Sequence, residues 1–139
     1  MAFVVVDTGP LYALLDRREE HHAWADEQID FLDRPFHTCD AVLTELFFLL
    51  EGRKGPCREL MRLLLEGSIV LNFDSRAHLG RIIELMDAYR DIPMSFADAC
   101  LVCMVEQNSD ATVFTLDRDF TFYRQHRRRV IPLIAPFSS

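Results

Sequence analysis

The sequence predicts an α/β fold with a mostly parallel sheet, and three features indicate it. Short apolar runs rich in β-branched residues, such as 3–6 (FVVV) and 111–115 (ATVFT), alternate with longer helical stretches. Strands that alternate with helices form parallel sheets with right-handed crossovers. Half of the 139 residues are apolar, and no repeat, low-complexity segment or linker divides the chain. We therefore expect one α/β domain over residues 1–139.

Helices are expected where apolar residues recur at helical spacing between a capping residue and a glycine or proline. Asp7 or Thr8 can cap the first helix, which ends near residue 16. Ser95 opens the sixth helix with Asp98 three positions later, as in a capping box. The second to seventh helices are expected over about residues 20–32, 41–51, 56–66, 76–89, 96–107 and 119–125.

Strands are expected at short runs that are β-branched or alternating and bounded by turn residues. The predicted strands cover residues 3–6, 36–38, 68–73, 111–115 and 129–133. In an open parallel sheet, the carboxyl ends of the strands meet helix starts at one edge, and ligands bind there.

Four acidic residues are expected at this edge: Asp7 closes the first strand, Asp117 follows the fourth, and Glu45 and Asp98 lie early in apolar helices. Taken singly, Asp7 and Asp98 could be caps and Asp117 a turn residue. Glu45 lies in an apolar block, which predicts burial, and a buried carboxylate needs a partner. Together, four carboxylates repel each other unless a cation lies between them. The pattern favours a site for Mg²⁺ or Mn²⁺.

Such an ion activates water and neutralises charge on a phosphodiester. The sequence offers no convincing Ser-His-Asp or Cys-His set and no glycine-rich phosphate loop. The net charge of −7 argues against a general nucleic-acid coat protein but not against a nuclease.

We expect a cytoplasmic protein, because no apolar run could span a membrane and no export signal precedes the first strand. Cys100 and Cys103 lie on an apolar helix and are expected to be buried hydrophobes.

Four segments resemble the acidic motifs of PIN-domain ribonucleases, in the same order along almost the whole chain. They are 5–16 (VVDTGPLYALLD), 44–46 (TEL), 95–99 (SFADA) and 115–120 (TLDRDF). The resemblance implies a three-layer sandwich with a five-stranded, mostly parallel sheet in the order 3-2-1-4-5, formed by a single PIN-like domain over 1–139. It also implies a Mg²⁺- or Mn²⁺-dependent endoribonuclease.

The resemblance assigns the metal and the catalytic chemistry to Asp7, Glu45, Asp98 and Asp117. Thr8 and Thr115 are implied as hydroxyls that support these ligands, although Thr8 can equally be a cap. Asp119 either assists the metal or caps its own helix, and we favour the cap.

Small free-standing members of this family resemble VapC-type toxins. This implies an RNA substrate, a small antitoxin protein that lays an apolar helix in a groove, and a homodimer, with no membrane partner. The block 47–50 (FFLL) could contribute to the groove, with at least half of it in the core. The arginine cluster at 124–129 could guide phosphates, but a solvated face at a helix end is favoured.

Two alternatives remain open, and a third is disfavoured. A PIN-domain protein could act in RNA maturation or bind RNA without a toxin role. A carboxylate-rich DNA nuclease or phosphatase would be separated by matched RNA and DNA substrates. A response-regulator-like receiver also clusters acids at strand ends, but it needs a lysine after its last strand, and residues 130–136 contain none.

Overall fold

The computed structural model describes residues 3–137, and the predicted domain bounds of 1–139 extend past this range at both ends. The strands in this range are β1 (Phe3–Val6), β2 (Phe36–Thr38), β3 (Ile69–Leu71), β4 (Ala111–Phe114), β5 (Arg124–Gln125), β6 (Arg129–Val130) and β7 (Leu133–Ile134). Five of them form one sheet in the order β3-β2-β1-β4-β7, and every pair in it is parallel. The predicted sheet and its strand order are confirmed, with β7 as the fifth strand.

The central strand β1 explains why the first apolar run is so uniformly β-branched. Val5 lies opposite His37 of β2 on one side and opposite Val113 of β4 on the other. The side chains of residues 4–6 are completely buried, as expected for a strand covered on both faces. β1 and β4 run in register, with Val6 opposite Phe114, so the residues that follow the two strands are neighbours.

The end of the chain differs from the prediction of one strand over 129–133. Arg129–Val130 pairs antiparallel with Arg124–Gln125 in a small hairpin, and the main sheet receives the next run, Leu133–Ile134. The chain reverses at His126 and Arg127, whose φ angles are 49° and 70°. These left-handed conformations are uncommon outside glycine, so the sequence gives little sign of the turn.

The helices are α1 (Thr8–Leu15), α2 (His22–Ile29), α3 (Asp40–Leu49), α4 (Lys54–Leu65), α5 (Leu79–Ala88) and α6 (Phe96–Glu106), with 3₁₀ turns at Ser75–His78 and Arg118–Thr121. The second helix is shorter than its predicted range of 20–32. The predicted helix at 119–125 is wrong, because the chain forms one 3₁₀ turn and then enters β5. The helices α1 and α6 begin where predicted, with Asp7 and Ser95 as their N-caps.

The helix α6 is the most buried element, and it packs against β1 and β4. All residues from 97 to 105 are buried, Cys100 and Cys103 among them, and both cysteines are free. The interpretation of these cysteines as buried hydrophobes is confirmed. The burial of residues 97–105 holds the first turn of α6 at the carboxyl edge of the sheet. Among residues 3–137, no helix is both long and apolar enough to cross a membrane.

Candidate metal centre

Three of the four predicted carboxylates converge at the carboxyl edge of the central strands. Asp7 follows β1, Asp117 lies beyond β4, and Asp98 is in the first turn of α6. Each contributes one oxygen, and these three oxygens all lie within 4.8 Å of one another. The parallel register of β1 and β4 brings the first two together, and the buried helix α6 supplies the third.

These carboxylates line an open cavity of about 560 Å³, which we call the acidic cavity. Glu45 also lines it but is not one of the three close carboxylates. Glu45 is exposed, so the expectation of a buried, unpartnered carboxylate is wrong. Its apolar neighbours Val42 and Leu46 fill the core instead, which leaves Glu45 at the rim. Its role as a metal ligand stays a prediction.

Thr115 connects two of the carboxylates. Its buried hydroxyl donates to Asp7 Oδ2 at 2.8 Å and accepts from the backbone N–H of Asp117 at 2.9 Å. The other oxygen of Asp7 accepts from the backbone N–H of Thr8 at 2.8 Å and so caps α1. Both oxygens of Asp7 are therefore held in place, and the start of the Asp117 loop is tied to the same hydroxyl.

Thr8 has no role as the cap of α1, which belongs to Asp7. Its Oγ1 is buried, and among residues 3–137 it has no hydrogen-bond partner. A buried hydroxyl without a partner costs about 1–3 kcal/mol. Because Thr8 also lines the acidic cavity, water or a ligand oxygen in the cavity could satisfy it.

The favoured role of Asp119 as a helix cap is wrong. The residue that caps the 3₁₀ turn Arg118–Thr121 is Asp117, whose Oδ1 accepts from the backbone N–H of Asp119 at 2.9 Å. Asp119 instead lines the acidic cavity beside the three close carboxylates. Its second predicted role, assistance to the metal, stays a prediction.

Sequence reasoning missed Tyr123. Its hydroxyl donates to Asp98 Oδ2 at 2.9 Å, and its side chain is completely buried. The ring packs edge-on against Tyr89 and Phe120, with centroids 5.2 and 5.1 Å away. The only signal in the sequence is the aromatic pair at 120 and 123, three residues apart. Nothing in that spacing indicates that the phenol reaches a helix 25 residues earlier.

Burial and mutual repulsion make this a costly place for negative charge. The pKa of Asp7 rises from 3.8 to about 7, chiefly through burial, with the charges of Asp98 and Asp117 adding to the rise. The hydrogen bonds from Thr115 and Thr8 oppose it. Burial also raises the pKa of Asp98, against the hydrogen bond from Tyr123. A cation among these groups would favour their ionised forms.

The donor set fits a hard divalent cation. The described lining of the acidic cavity offers carboxylate and hydroxyl oxygens and contains no cysteine or histidine, which zinc sites commonly use.

A second group, Glu19, Glu20 and His21, also brings three donors within 4.8 Å. These residues are consecutive and none is buried, so chain connectivity alone accounts for their proximity.

The arginine cluster lies away from the acidic cavity. At the hairpin turn, the backbone N–H of His126 donates to Glu106 Oε2 at 2.6 Å, and Arg81 pairs with the same carboxylate at 2.8 Å. Glu106 is eight residues beyond Asp98 on α6, which corresponds to about 12 Å along the helix. The arginines at 127–129 are exposed, as expected for a solvated face, but they belong to a hairpin and not to a helix end.

Comparison with protein-family models matches residues 4–125 to the PIN domain. Among solved structures, the chain is similar to the crystal structure of Mycobacterium tuberculosis VapC20, described as a sarcin-ricin loop cleaving toxin. The TM-score is 0.74 at 19% sequence identity, over 86% of this chain and 93% of that chain. Comparison with curated proteins found no match. The structural likeness shows a common fold, and the family match spans most of the sequence. The chain therefore belongs to the PIN domain family.

Proposed function

We propose that this protein is a metal-dependent endoribonuclease and the toxin of a VapBC-type toxin–antitoxin pair. The observation that carries the proposal is the approach of Asp7, Asp98 and Asp117 to within 4.8 Å in an open cavity. Membership of the PIN domain family supports nuclease chemistry at this cavity.

Asp7, Asp98 and Asp117 would hold a Mg²⁺ or Mn²⁺ ion, and Glu45 and Asp119 are further candidate ligands in the lining of the cavity. When bound, the ion supplies an activated water and neutralises charge on the phosphodiester. Side chains next to the proposed ligands hold them in place. Thr115 and Tyr123 fix the orientation of Asp7 and Asp98 through hydrogen bonds of 2.8 and 2.9 Å.

The acidic cavity offers no protein cation to a phosphate. Its described lining contains no lysine or arginine, and the protein carries a net charge of −7. An RNA backbone approaching it would be repelled in the absence of metal. Substrate affinity is therefore expected to depend on the ion as strongly as turnover does.

The antitoxin would occupy a groove beside α1, α2 and α4. Two adjoining cavities of about 940 and 190 Å³ share Leu14, Leu15, Asp26 and Glu59 in their lining. The smaller cavity is mainly apolar, whereas charged side chains form most of the lining of the larger one. Such a groove suits an amphipathic partner helix that has an apolar face and a charged face.

No residue of the block 47–50 lines these two cavities, so its contribution to the groove stays a prediction. Phe48 and Leu49 are 72% and 43% exposed, whereas Leu50 is buried and Phe47 packs against the core. We also propose a homodimer, as in other VapC-type toxins.

Cleavage of total cellular RNA tests the enzymatic proposal. The wild type should cleave RNA, but not matched DNA, in Mg²⁺ or Mn²⁺, and EDTA should stop the reaction. Asp98→Asn should abolish cleavage, because it removes one ligand charge. The control Asp33→Asn changes an exposed carboxylate that lines neither the acidic cavity nor the groove, and it should leave activity intact. Cleavage by Asp98→Asn at the wild-type rate would contradict the assignment.

Expression without the antitoxin tests the biological role. Cells that express the wild type should grow more slowly than cells with equal amounts of Asp98→Asn. Equal growth, with ribonuclease activity retained in vitro, would contradict the toxin role and favour a PIN-domain enzyme of RNA maturation.

A further inference from the structure

Another cavity, of about 440 Å³, adjoins the acidic cavity and shares Glu45 and Ser95 with it. We call it the side cavity. It lies between the first turns of α3 and α6 and the 3₁₀ turn Ser75–His78. Buried Cys39 and Cys100 contribute to its lining. The proposed metal chemistry leaves this space unused.

The side cavity has an aromatic wall. Phe73 is half-buried, and Phe96 is 42% exposed although it opens the most buried helix of the fold. An aromatic ring open to solvent beside a nuclease site can stack on a nucleobase, and such stacking tolerates every base. The ring of Phe73 already stacks on His78, with centroids 5.0 Å apart, so Phe96 is the freer of the two.

The charges of the side cavity exclude an anion. Its described lining contains no lysine, arginine or histidine, and its charged side chains are those of Asp40 and Glu45. The carboxylate of Asp40 is exposed and makes no side-chain hydrogen bond or ion pair within residues 3–137. Carboxylates accept hydrogen bonds but cannot donate them. The preferred occupant is therefore flat, uncharged or cationic, and rich in N–H donors.

We propose that the side cavity binds one unpaired nucleobase of the RNA substrate, next to the phosphodiester at the acidic cavity. Phe96 provides the stacking surface, and Asp40 accepts a hydrogen bond from the exocyclic amine of the base. Adenine, cytosine and guanine carry such an amine, whereas uracil has a carbonyl oxygen in the place of the cytosine amine and its ring N–H lies at a different position. This inference rests on the proposed ribonuclease function and adds a specificity site to it.

Binding without turnover provides the test. Fluorescence anisotropy with labelled oligo(C) and oligo(U), in Ca²⁺, should show tighter binding of oligo(C) by the wild type. Phe96→Ala should weaken oligo(C) binding about tenfold through lost stacking. Phe96→Tyr should restore it. The control Phe31→Ala removes a ring that is 79% exposed and outside both cavities, and it should change nothing.

Asp40→Asn tests the base preference, because the amide can donate to a carbonyl oxygen. This variant should bind oligo(C) and oligo(U) with similar affinity, whereas Asp33→Asn should keep the wild-type preference. Melting temperatures near that of the wild type show that the variants fold. Equal affinities of Phe96→Ala and Phe31→Ala for oligo(C), or a wild type that binds both oligonucleotides equally, would overturn the proposal.

The two proposals fail in different ways. If the wild type cleaves total RNA while Phe96→Ala binds like Phe31→Ala, the side cavity is not a base site and the ribonuclease assignment stands. If base-selective binding depends on Phe96 but no RNA is cleaved, the base site stands without the enzyme. Loss of antitoxin binding in Phe96→Ala with RNA binding intact would assign the cavity to the partner protein and overturn the base site.

Discussion

Asp7 illustrates how one residue combines structural and chemical demands. It ends the central strand, caps α1 with one oxygen and accepts from Thr115 with the other. It also faces Asp98 and Asp117 in a setting that opposes its ionisation. A carboxylate with a strongly raised pKa in a cavity is a mark of a functional site, because such an arrangement costs stability.

Asp7→Asn should therefore stabilise the metal-free protein, and by more at higher pH. The folded-state pKa of about 7 lies above the ordinary 3.8, so between these values the folded state keeps a proton that the unfolded state releases. Across this window the free energy of unfolding falls by about 1.4 kcal/mol for each unit of pH. Below about pH 4 the group costs nothing, and above about pH 7 the cost is constant, on the order of 4 kcal/mol.

Urea unfolding of the wild type and of Asp7→Asn in EDTA, at pH 5, 6, 7 and 8, measures this difference. The stability gain of the variant should grow from pH 5 to pH 7 and then level off. A gain that is the same at every pH would show that Asp7 is ionised in the folded protein throughout.

Tyr123 should act on metal affinity without touching the metal. Tyr123→Phe keeps the packed ring but frees Asp98 Oδ2, so the carboxylate can rotate away from the geometry that binds the ion. Loss of a hydrogen bond behind a ligand costs about 10–100-fold in metal affinity. Titration with Mn²⁺, followed by electron paramagnetic resonance, measures it.

The matched control for this prediction is Tyr89→Phe. Tyr89 packs against Tyr123, and its hydroxyl accepts from the backbone N–H of Arg124 at 3.0 Å, with no carboxylate involved. Its removal should leave Mn²⁺ affinity unchanged. Equal effects of the two variants would mean that general loosening of the aromatic cluster, and not the bond to Asp98, sets the affinity.

At the scale of elements, the site depends on the close approach of α1 to the loop after β4. A Cβ atom at Gly9 would lie 3.1 Å from Leu116 Cβ, tighter than ordinary contact. Gly9 thus permits this approach without a shift of Leu116, and the two elements that meet there carry Asp7 and Asp117.

Gly9→Ala should destabilise the protein by about 1–3 kcal/mol through overpacking, and it should also weaken Mn²⁺ binding because α1 and the loop shift apart. Gly80→Ala is the control, since its Cβ would meet nothing within 4 Å in the exposed start of α5. That change should be neutral or stabilise by up to about 1 kcal/mol. Thermal unfolding and Mn²⁺ titration of both variants measure these effects. Equal stability of Gly9→Ala and Gly80→Ala would show that the approach of α1 to Leu116 does not require glycine.

The elements that were predictable are those whose burial leaves a pattern in the sequence. The strand β1 is a uniform apolar run, β4 is apolar apart from Thr112, and α6 is apolar on most sides, so their ends and their carboxylates could be located. The hairpin and β7 have two residues per strand, which is too short for any periodicity. Their turn also uses left-handed conformations without glycine.

The same limit applies to the candidate site. Asp7, Asp98 and Asp117 could be predicted because each lies at the end of a strand or the start of a helix, and the order of these elements along the chain brings them to one edge of the sheet. The exposure of Glu45 depends on which face α3 turns to the core, and a block with apolar residues on several faces does not settle that. Tyr123 reaches Asp98 only through tertiary packing.

For the whole molecule, net charge and metal are linked. The protein carries a charge of −7, and three of its carboxylates converge in one cavity. A divalent ion that binds only the folded state stabilises it by about 2.7 kcal/mol at 100 times its Kd. For a chain of this size, that corresponds to a rise in melting temperature on the order of 8 °C.

Millimolar Mn²⁺ should therefore raise the melting temperature, and the rise should be larger at pH 8 than at pH 6. The reason is that, at the lower pH, the ion must displace the proton that Asp7 holds with its pKa of about 7. Asp98→Asn should lose most of the shift, whereas Asp33→Asn should retain it. Differential scanning fluorimetry in Mn²⁺ and in EDTA measures all three proteins. A shift that persists in Asp98→Asn would place the ion elsewhere on the protein, and a shift that does not change with pH would show that Asp7 is not among its ligands.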